Sequence, residues 1–380
     1  MKTTLKVPVS RPRILRRDIK SVVSALKGLE LSGHSSMVSE FEDALATYLK
    51  TQHVVAVSSG TSALDLLADY LNIGPKDTIV APTFTIISTI SEVVRRGARI
   101  KLIDAMADSW CLDVDMAIAE IESSERVKAI YGTHIYNSVF NAELLLRVAE
   151  ENNAVLVEDA AEALGSSINH NMVGTFGHFG IFSFYANKLI TTGEGGAIVA
   201  NDELASKEIR QLRNLGFDPS QRFLHTKLGR NFRMAGLNAS LGISQLKAAE
   251  KFRLHRSSLY QLYKFHLGAL PSVRFQKMTV EQASFVPSYW VMPILLEKET
   301  GIDAKTFQEL LSKRGVETRR FFCPMHLQPA LKKTNIELVG DMRMSEILWH
   351  GGLYLPMGSG ISKKEVEYVC EVVMNILDRC

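Results

Sequence analysis

No apolar run in this sequence reaches the roughly eighteen residues that a membrane-crossing helix requires. Charge of one sign is also scarce. The net charge is +3 across 380 residues, too small to point to nucleic acid or an anionic membrane surface as a partner. There are four cysteines, Cys111, Cys323, Cys370 and Cys380, scattered and without metal-ligand spacing. They read as free thiols, and no metal site is expected. No leader is evident in the opening stretch, so the expected location is cytoplasmic. Internal repeats and low-complexity segments are missing, which excludes solenoids and fibrous proteins. What remains is an ordinary globular composition, 46% hydrophobic and 22% charged, long enough for a large and a small domain.

Short apolar runs alternate with helical patterns through the first half. "HVVAVSSGTSALDLLADYL" (53–71) reads as strand, glycine turn and helix, and "TIVAPTFT" (78–85), "ARIKLIDA" (98–105), "VKAIYGTHIY" (127–136) and "AVLVEDAAEALG" (154–165) carry further strands. The alternation predicts an α/β fold with a mostly parallel sheet covered by helices on both faces. Beyond about residue 235 the pattern changes to one long helical stretch (235–263), strands near 271–275 and 288–297, and helices near 303–314 and 362–378. The expected division is a large domain over 1–240, N-terminal helices included, and a smaller α+β domain over 241–380.

Three places in the first half carry chemistry. "SSGTSAL" (58–64) lies between a strand and a helix, where free N–H groups and the Thr61 and Ser62 hydroxyls can hold a phosphate or merely cap the helix. It is neither a Walker loop nor GxGxxG. Asp159 ends an apolar strand, at the sheet edge where open α/β folds bind ligands. It can face a cation, or it can cap the next helix, with Glu162 as a capping-box partner or a polar neighbour of the ligand. Lys188, in "FSFYANKLITTGEGG" (182–196), sits on a short loop between strands expected at 181–185 and 195–200. A lysine kept from water there loses part of its affinity for protons and becomes a nucleophile suited to Schiff-base chemistry. Phosphate cradle, acidic strand end and desolvated lysine together are the three anchors of pyridoxal 5'-phosphate.

These segments, with "VGTFG", "NFRM", "ETRRFFCPMH" and "LYLPM", resemble the DegT/DnrJ/EryC1/StrS family of nucleotide-sugar aminotransferases over nearly the whole chain. Within it they look most like the GDP-perosamine synthase group, which aminates C4 of a 4-keto-6-deoxy sugar. The resemblance implies fold type I of the pyridoxal-phosphate enzymes, with Lys188 as the cofactor-linked catalytic base and Asp159 on the ring nitrogen. Glu162 would lie near the ring's hydroxyl edge, Ala161 on one ring face and Ile86 on the other. Gly60, Thr61, Ser62 and Ser183 would hold the phosphate. Asn231 would reach the cofactor of a neighbouring subunit, which implies a homodimer with shared active sites. Phe322 and His326 would approach the sugar, although His326 reads equally as a packing residue. L-glutamate would donate the amino group and a nucleotide-linked keto sugar would accept it, for a surface polysaccharide such as O-antigen or for an antibiotic. Lysine at 188, where the family's dehydratases carry histidine, favours amino transfer. The chain departs from the family pattern at Ile86, Asn137, Leu224 and Arg230. A transaminase for another ketone, such as a C3 keto sugar, and a non-catalytic paralogue are the competing readings.

Overall fold

The computed structural model describes residues 6–124, 126–218, 220–221, 223–278 and 284–378; Cys380 lies outside them. Two helices, α1 (Arg16–Lys27) and α2 (Ser36–Leu49), open the chain. Strand–helix alternation follows: β1 (His53–Val57), α3 (Gly60–Tyr70), β2 (Thr78–Pro82), α4 (Ser88–Arg95), β3 (Arg99–Ile103), α5 (Val114–Ser123), β4 (Ala129–Thr133), α6 (Ala142–Glu151) and β5 (Val155–Asp159). A small hairpin, β6 (Ser167–Ile168) and β7 (Asn171–Met172), precedes β8 (Phe179–Ser183), β9 (Gly196–Ala200) and α7 (Glu203–Arg213).

These strands form an eight-stranded sheet in the order β1-β9-β8-β5-β4-β2-β3-β14, where β14 is Ile336–Val339. Only β9 runs against its neighbours; every other pairing is parallel. Parallel strands buried on both faces must be apolar throughout, and β2 and β4 are buried along their whole length. One face packs Leu66, Leu67 and Ile209 of α3 and α7; the other packs Leu145 of α6 against Ile130 and Leu156.

The stretch expected as one helix is two, α8 (Gly236–Leu246) and α9 (Ala249–Leu267). Both have helical periodicity, which cannot register a change of direction, and they serve different partners. α8 packs on α1 and α2, where the buried Asp18 accepts from Ser244 Oγ (2.5 Å) and Gln245 Nε2 (2.6 Å); α9 packs on α12 (Lys363–Leu377). The remaining elements are β10 (Val273–Phe275), β11 (Phe285–Val286), β12 (Met292–Leu296), α10 (Ala304–Ser312), β13 (Arg319–Arg320), α11 (Arg343–Gly351) and β15 (Gly352–Leu355). A four-stranded sheet, β10-β12-β15-β13, is backed by Tyr263, Phe307 and Val369 from α9, α10 and α12.

A division at 240/241 falls within α8 (Gly236–Leu246), and three strand pairings join residues on its two sides. β14 returns to the first sheet beside β3, β11 pairs with β6, and Val7 pairs with Val316. No helix among the described residues is long and apolar enough to cross a membrane.

Gly196 shows how closely the sheet approaches the start of α3. A Cβ there would stand 2.4 Å from the Ser59 carbonyl carbon and 2.6 Å from the Gly60 nitrogen, both backbone atoms without freedom to yield. Gly196→Ala is therefore expected to cost about 1–3 kcal/mol and lower the melting temperature by several degrees. Gly74→Ala meets nothing within 4 Å and is the matched control, expected to leave the melting temperature unchanged.

Candidate active site

Strands β4, β5 and β8 end in Thr133, Asp159 and Ser183, and these three residues line one cavity of about 510 Å³. Its other walls come from the start of α3, the loop after β2, the Lys188 loop and, across the cavity, Trp290, Arg319, Arg320, Phe322 and Tyr354. This is the carboxyl edge of a parallel sheet, where side chains from adjacent strands converge.

The Lys188 loop runs from β8 to β9 and is held by a Lys188 N–H donated to the Tyr185 carbonyl (2.9 Å). Lys188 is half-buried, and its Nζ lies 3.8 Å from the centre of the Trp290 ring. Burial pulls its pKa below the usual lysine range and the Arg256 charge acts the same way, while Glu162 and Asp159 act against them.

Asp159 is buried. Its Oδ2 accepts from Thr89 Oγ1 (2.9 Å) and its Oδ1 from the Ala161 N–H (3.2 Å). Burial raises its pKa, and these two hydrogen bonds and the Lys188 charge offset part of the rise. Glu162 is pushed up to about 8, first by burial; Lys188 and the Tyr136 N–H (2.6 Å from Oε2) hold it back. Two carboxyl groups with raised pKa values thus face one amine whose own pKa is lowered. A ligand bearing a proton on a ring nitrogen would give Asp159 a partner.

At the other end of the cavity lie Gly60 and Thr61, in the first turn of α3. N–H groups there have no acceptor inside a helix, and the helix dipole favours an anion. Ser59 caps the turn, accepting from the Ser62 N–H (3.0 Å). Ser62 itself is buried and off the cavity wall, its hydroxyl engaged with Ser58 (2.9 Å) and Ser59 (2.8 Å). Ser183 faces Gly60 closely enough that a Cβ on the glycine would stand 3.2 Å from its own.

Gly60, Thr61, Ile86, Asp159, Ala161, Glu162, Ser183, Lys188 and Phe322 all line this one cavity. Three expected residues do not. Besides Ser62, they are Asn231, exposed and paired as a bridge with Asn214, and His326, whose Nδ1 lies 2.8 Å from Thr83 Oγ1 and Nε2 3.2 Å from Glu346 Oε1. Two of the departures from the family pattern, Arg230 and Asn137, have hydrogen-bonding partners. Arg230 pairs with Asp69 (2.8 Å) and Glu92 (2.5 Å), and Asn137 donates to the Val291 carbonyl (2.7 Å) and from its backbone to Gln276 Oε1 (3.1 Å).

Sequence reasoning passed over Thr89, Trp290 and His134. His134 donates its N–H to the Asp159 carbonyl (3.0 Å) and sets its Nε2 2.9 Å from the buried Glu158. Nothing local in "SYWVMP" points to Lys188; only the fold joins them.

The residues present fit pyridoxal 5'-phosphate. The first turn of α3 suits the phosphate, Asp159 a protonated ring nitrogen, and the amine of Lys188 an aldehyde. Thr133 Oγ1 and Asn187 Oδ1 on the same wall are buried without a partner among the described residues, as polar atoms awaiting a polar ligand would be.

Comparison with known proteins agrees with this geometry. GDP-perosamine synthase of Vibrio cholerae is 29% identical over 369 residues, covering 97% of this chain and 98% of the relative. A Bacillus subtilis protein named "Putative pyridoxal phosphate-dependent aminotransferase EpsN" is 28% identical over 376 residues, covering 98% of this chain and 96% of the relative. The crystal structure of the aminotransferase TlmJ from Streptoalloteichus hindustanus superposes with a TM-score of 0.90 at 25% identity, over 99% of this chain and all of that one. The fold is thus that of the pyridoxal-phosphate aminotransferases. The profile of the DegT/DnrJ/EryC1/StrS aminotransferase family matches residues 12–374, and the chain belongs to that family.

Proposed function

We propose that this aminotransferase moves the amino group of L-glutamate to C4 of a nucleotide-linked 4-keto-6-deoxy sugar, as a GDP-perosamine synthase does. The observation that carries the reading is the convergence of Lys188, Asp159 and Glu162 with the first turn of α3 on one cavity. Resemblance to three GDP-perosamine synthases at 29% identity supports the sugar.

Pyridoxal 5'-phosphate is the cofactor; when bound it supplies an aldehyde that carries the amino group and a ring that takes up electron density. The chain's own residues do the rest. Gly60 and Thr61 N–H groups and the Ser183 hydroxyl would hold the phosphate. Asp159 would keep a proton on the ring nitrogen, and Thr89 fixes the carboxyl group that would do so. Ala161 and Ile86 would line the space beside the ring; an aliphatic Ile86 would give up stacking worth roughly 1 kcal/mol. Lys188 would be the nucleophile and the base that holds and moves a proton, a task for an amine with a lowered pKa. Phe322 lines the space left for the sugar.

A second copy of the chain completes this reading. Asn231 is exposed and away from its own cavity, available to a neighbour's phosphate. Ile19, Val23 and Leu26 on one side of α1, with Leu228, leave apolar surface uncovered, as a homodimer interface would require.

Three outcomes follow. Wild-type protein with pyridoxal 5'-phosphate is expected to show a visible band that L-glutamate abolishes; no band at all would sink the enzyme reading. Lys188→Ala is expected to lose at least about 10³-fold in turnover and the glutamate response. A panel of GDP-, UDP- and dTDP-linked 4-keto and 3-keto sugars then decides the acceptor, and preference for a 3-keto sugar would replace the C4 assignment.

Glu162 also makes a prediction about pH. In the folded chain without cofactor it keeps its proton to about 8, against 4.5 when unfolded. Between those values the folded state binds more protons, so this group's contribution falls as pH rises. The melting temperature of wild type minus that of Glu162→Gln is therefore expected to decline from about pH 5 to about pH 8; a flat difference would refute the burial argument.

A further inference from the structure

Arg256, on α9, is 1% exposed, one of the largest side chains fully enclosed by the protein. A buried guanidinium ordinarily meets a carboxylate. This one meets none among the described residues. Its donors go to neutral oxygens: Nη2 to the carbonyls of Lys188 (2.7 Å) and Asn187 (3.4 Å), Nη1 to the carbonyl of Trp290 (3.1 Å), and Nε to Ser359 Oγ (3.2 Å). Each acceptor belongs to a different loop, except the two that flank the amine-bearing residue.

We infer that Arg256 is a positioning residue for Lys188: its planar fork ties the carbonyl of Lys188 to the carbonyl of Trp290, and so fixes the amine against the indole ring at the cavity wall. The inference rests on the reading of Lys188 as the cofactor-linked amine. The indole cannot hold itself, because Trp290 Nε1 is buried with no acceptor among the described residues. Yet the ring lies 3.8 Å from Lys188 Nζ, so a shift of the Trp290 backbone moves the surface on which the amine rests. A neutral donor would satisfy one or two of these carbonyls. The fork alone reaches all of them, with a geometry that lysine or glutamine cannot copy.

The charge has a second effect in the same direction. Arg256 opposes protonation of Lys188, while Asp159 and Glu162 favour it. Tyr185, Glu194, Arg319, Arg320 and Tyr354 line the cavity around the amine, and His134 stands behind Asp159. Burial pulls Arg256 itself down to about 9, which still leaves it charged at neutral pH.

The test uses full-length protein freed of cofactor. Amines are labelled competitively with acetic anhydride across the neutral and alkaline range, and the peptide carrying Lys188 is read by mass spectrometry. Arg256→Gln is expected to raise the Lys188 midpoint and so to lower its labelling at neutral pH. Pyridoxine 5'-phosphate, which has no aldehyde, should bind this variant within about twofold of wild type, as the phosphate and ring contacts do not include Arg256. A lowered melting temperature with an unmoved Lys188 midpoint would overturn the inference, since a merely structural arginine gives that result. Where Arg256→Gln fails to fold, Arg256→Lys decides: it keeps the charge and loses the fork. It should capture pyridoxal 5'-phosphate, followed by its visible band, at least ten-fold more slowly than wild type, and capture at the wild-type rate would overturn the inference. Wild type that binds neither compound would instead refute the cofactor reading.

Discussion

An amine that must react as a nucleophile at neutral pH has to be taken out of water, and a lysine taken out of water has to be held by something else. That constraint organises this protein. Lys188 rests on an indole ring, faces two buried carboxyl groups and is backed by an arginine that meets only neutral oxygens among the described residues. Each neighbour is itself expensive to bury, and each is placed by a different part of the chain. The sheet supplies Asp159 at the end of β5, the following turn supplies Glu162, and the second half of the chain supplies Trp290 and Arg256.

The support behind these groups is mostly backbone hydrogen bonding to buried acids. Glu158, fully buried, accepts from the N–H groups of Gly174, Phe176 and Gly177 and faces His134. It thereby fixes the turn before β8 and the segment after β4 with one carboxylate. Strand alternation puts Glu158 and its neighbour Asp159 on opposite sides, so one strand end provides both a structural acid and a site acid. Asp18 and Glu42 do comparable work at the N-terminal helices: Asp18 receives Ser244 and Gln245, and Glu42 receives the Ala56 N–H and two arginines.

The departures from the family pattern look different once their partners are known. Arg230 closes a charge network with Asp69 and Glu92. Asn137 joins two distant segments through Val291 and Gln276. Both have structural work to do, which weakens them as signs of a lost activity. Ile86 is otherwise: it remains on the cavity wall, partly exposed, with a direct consequence for whatever ring lies beside it.

Much of this was legible in the residues. Strand-length apolar runs alternating with helical periodicity determined the α/β class, because burial on both faces leaves a parallel strand no room for polar residues. The short spacing within "SSGTSAL", "VEDAAEALG" and "FSFYANK" determined which groups sit at strand ends and loops, since local geometry fixes that. Other features depended on contacts between residues far apart in sequence. Periodicity could not divide α8 from α9, as both halves repeat alike and only their partners differ. The return of β14 to the first sheet pairs residues 236 positions apart, Ile336 with Ile100 among them, a pairing invisible to any local pattern. Ser62 and His326 carry suitable side chains, but hydrogen bonds claim them, within its own turn for Ser62 and to Thr83 and Glu346 for His326. Trp290 and Arg256 show no local signal at all. The sequence by itself determined the fold class and the reactive groups; the tertiary structure alone decided what surrounds Lys188, because desolvation is a property of packing and not of any one segment.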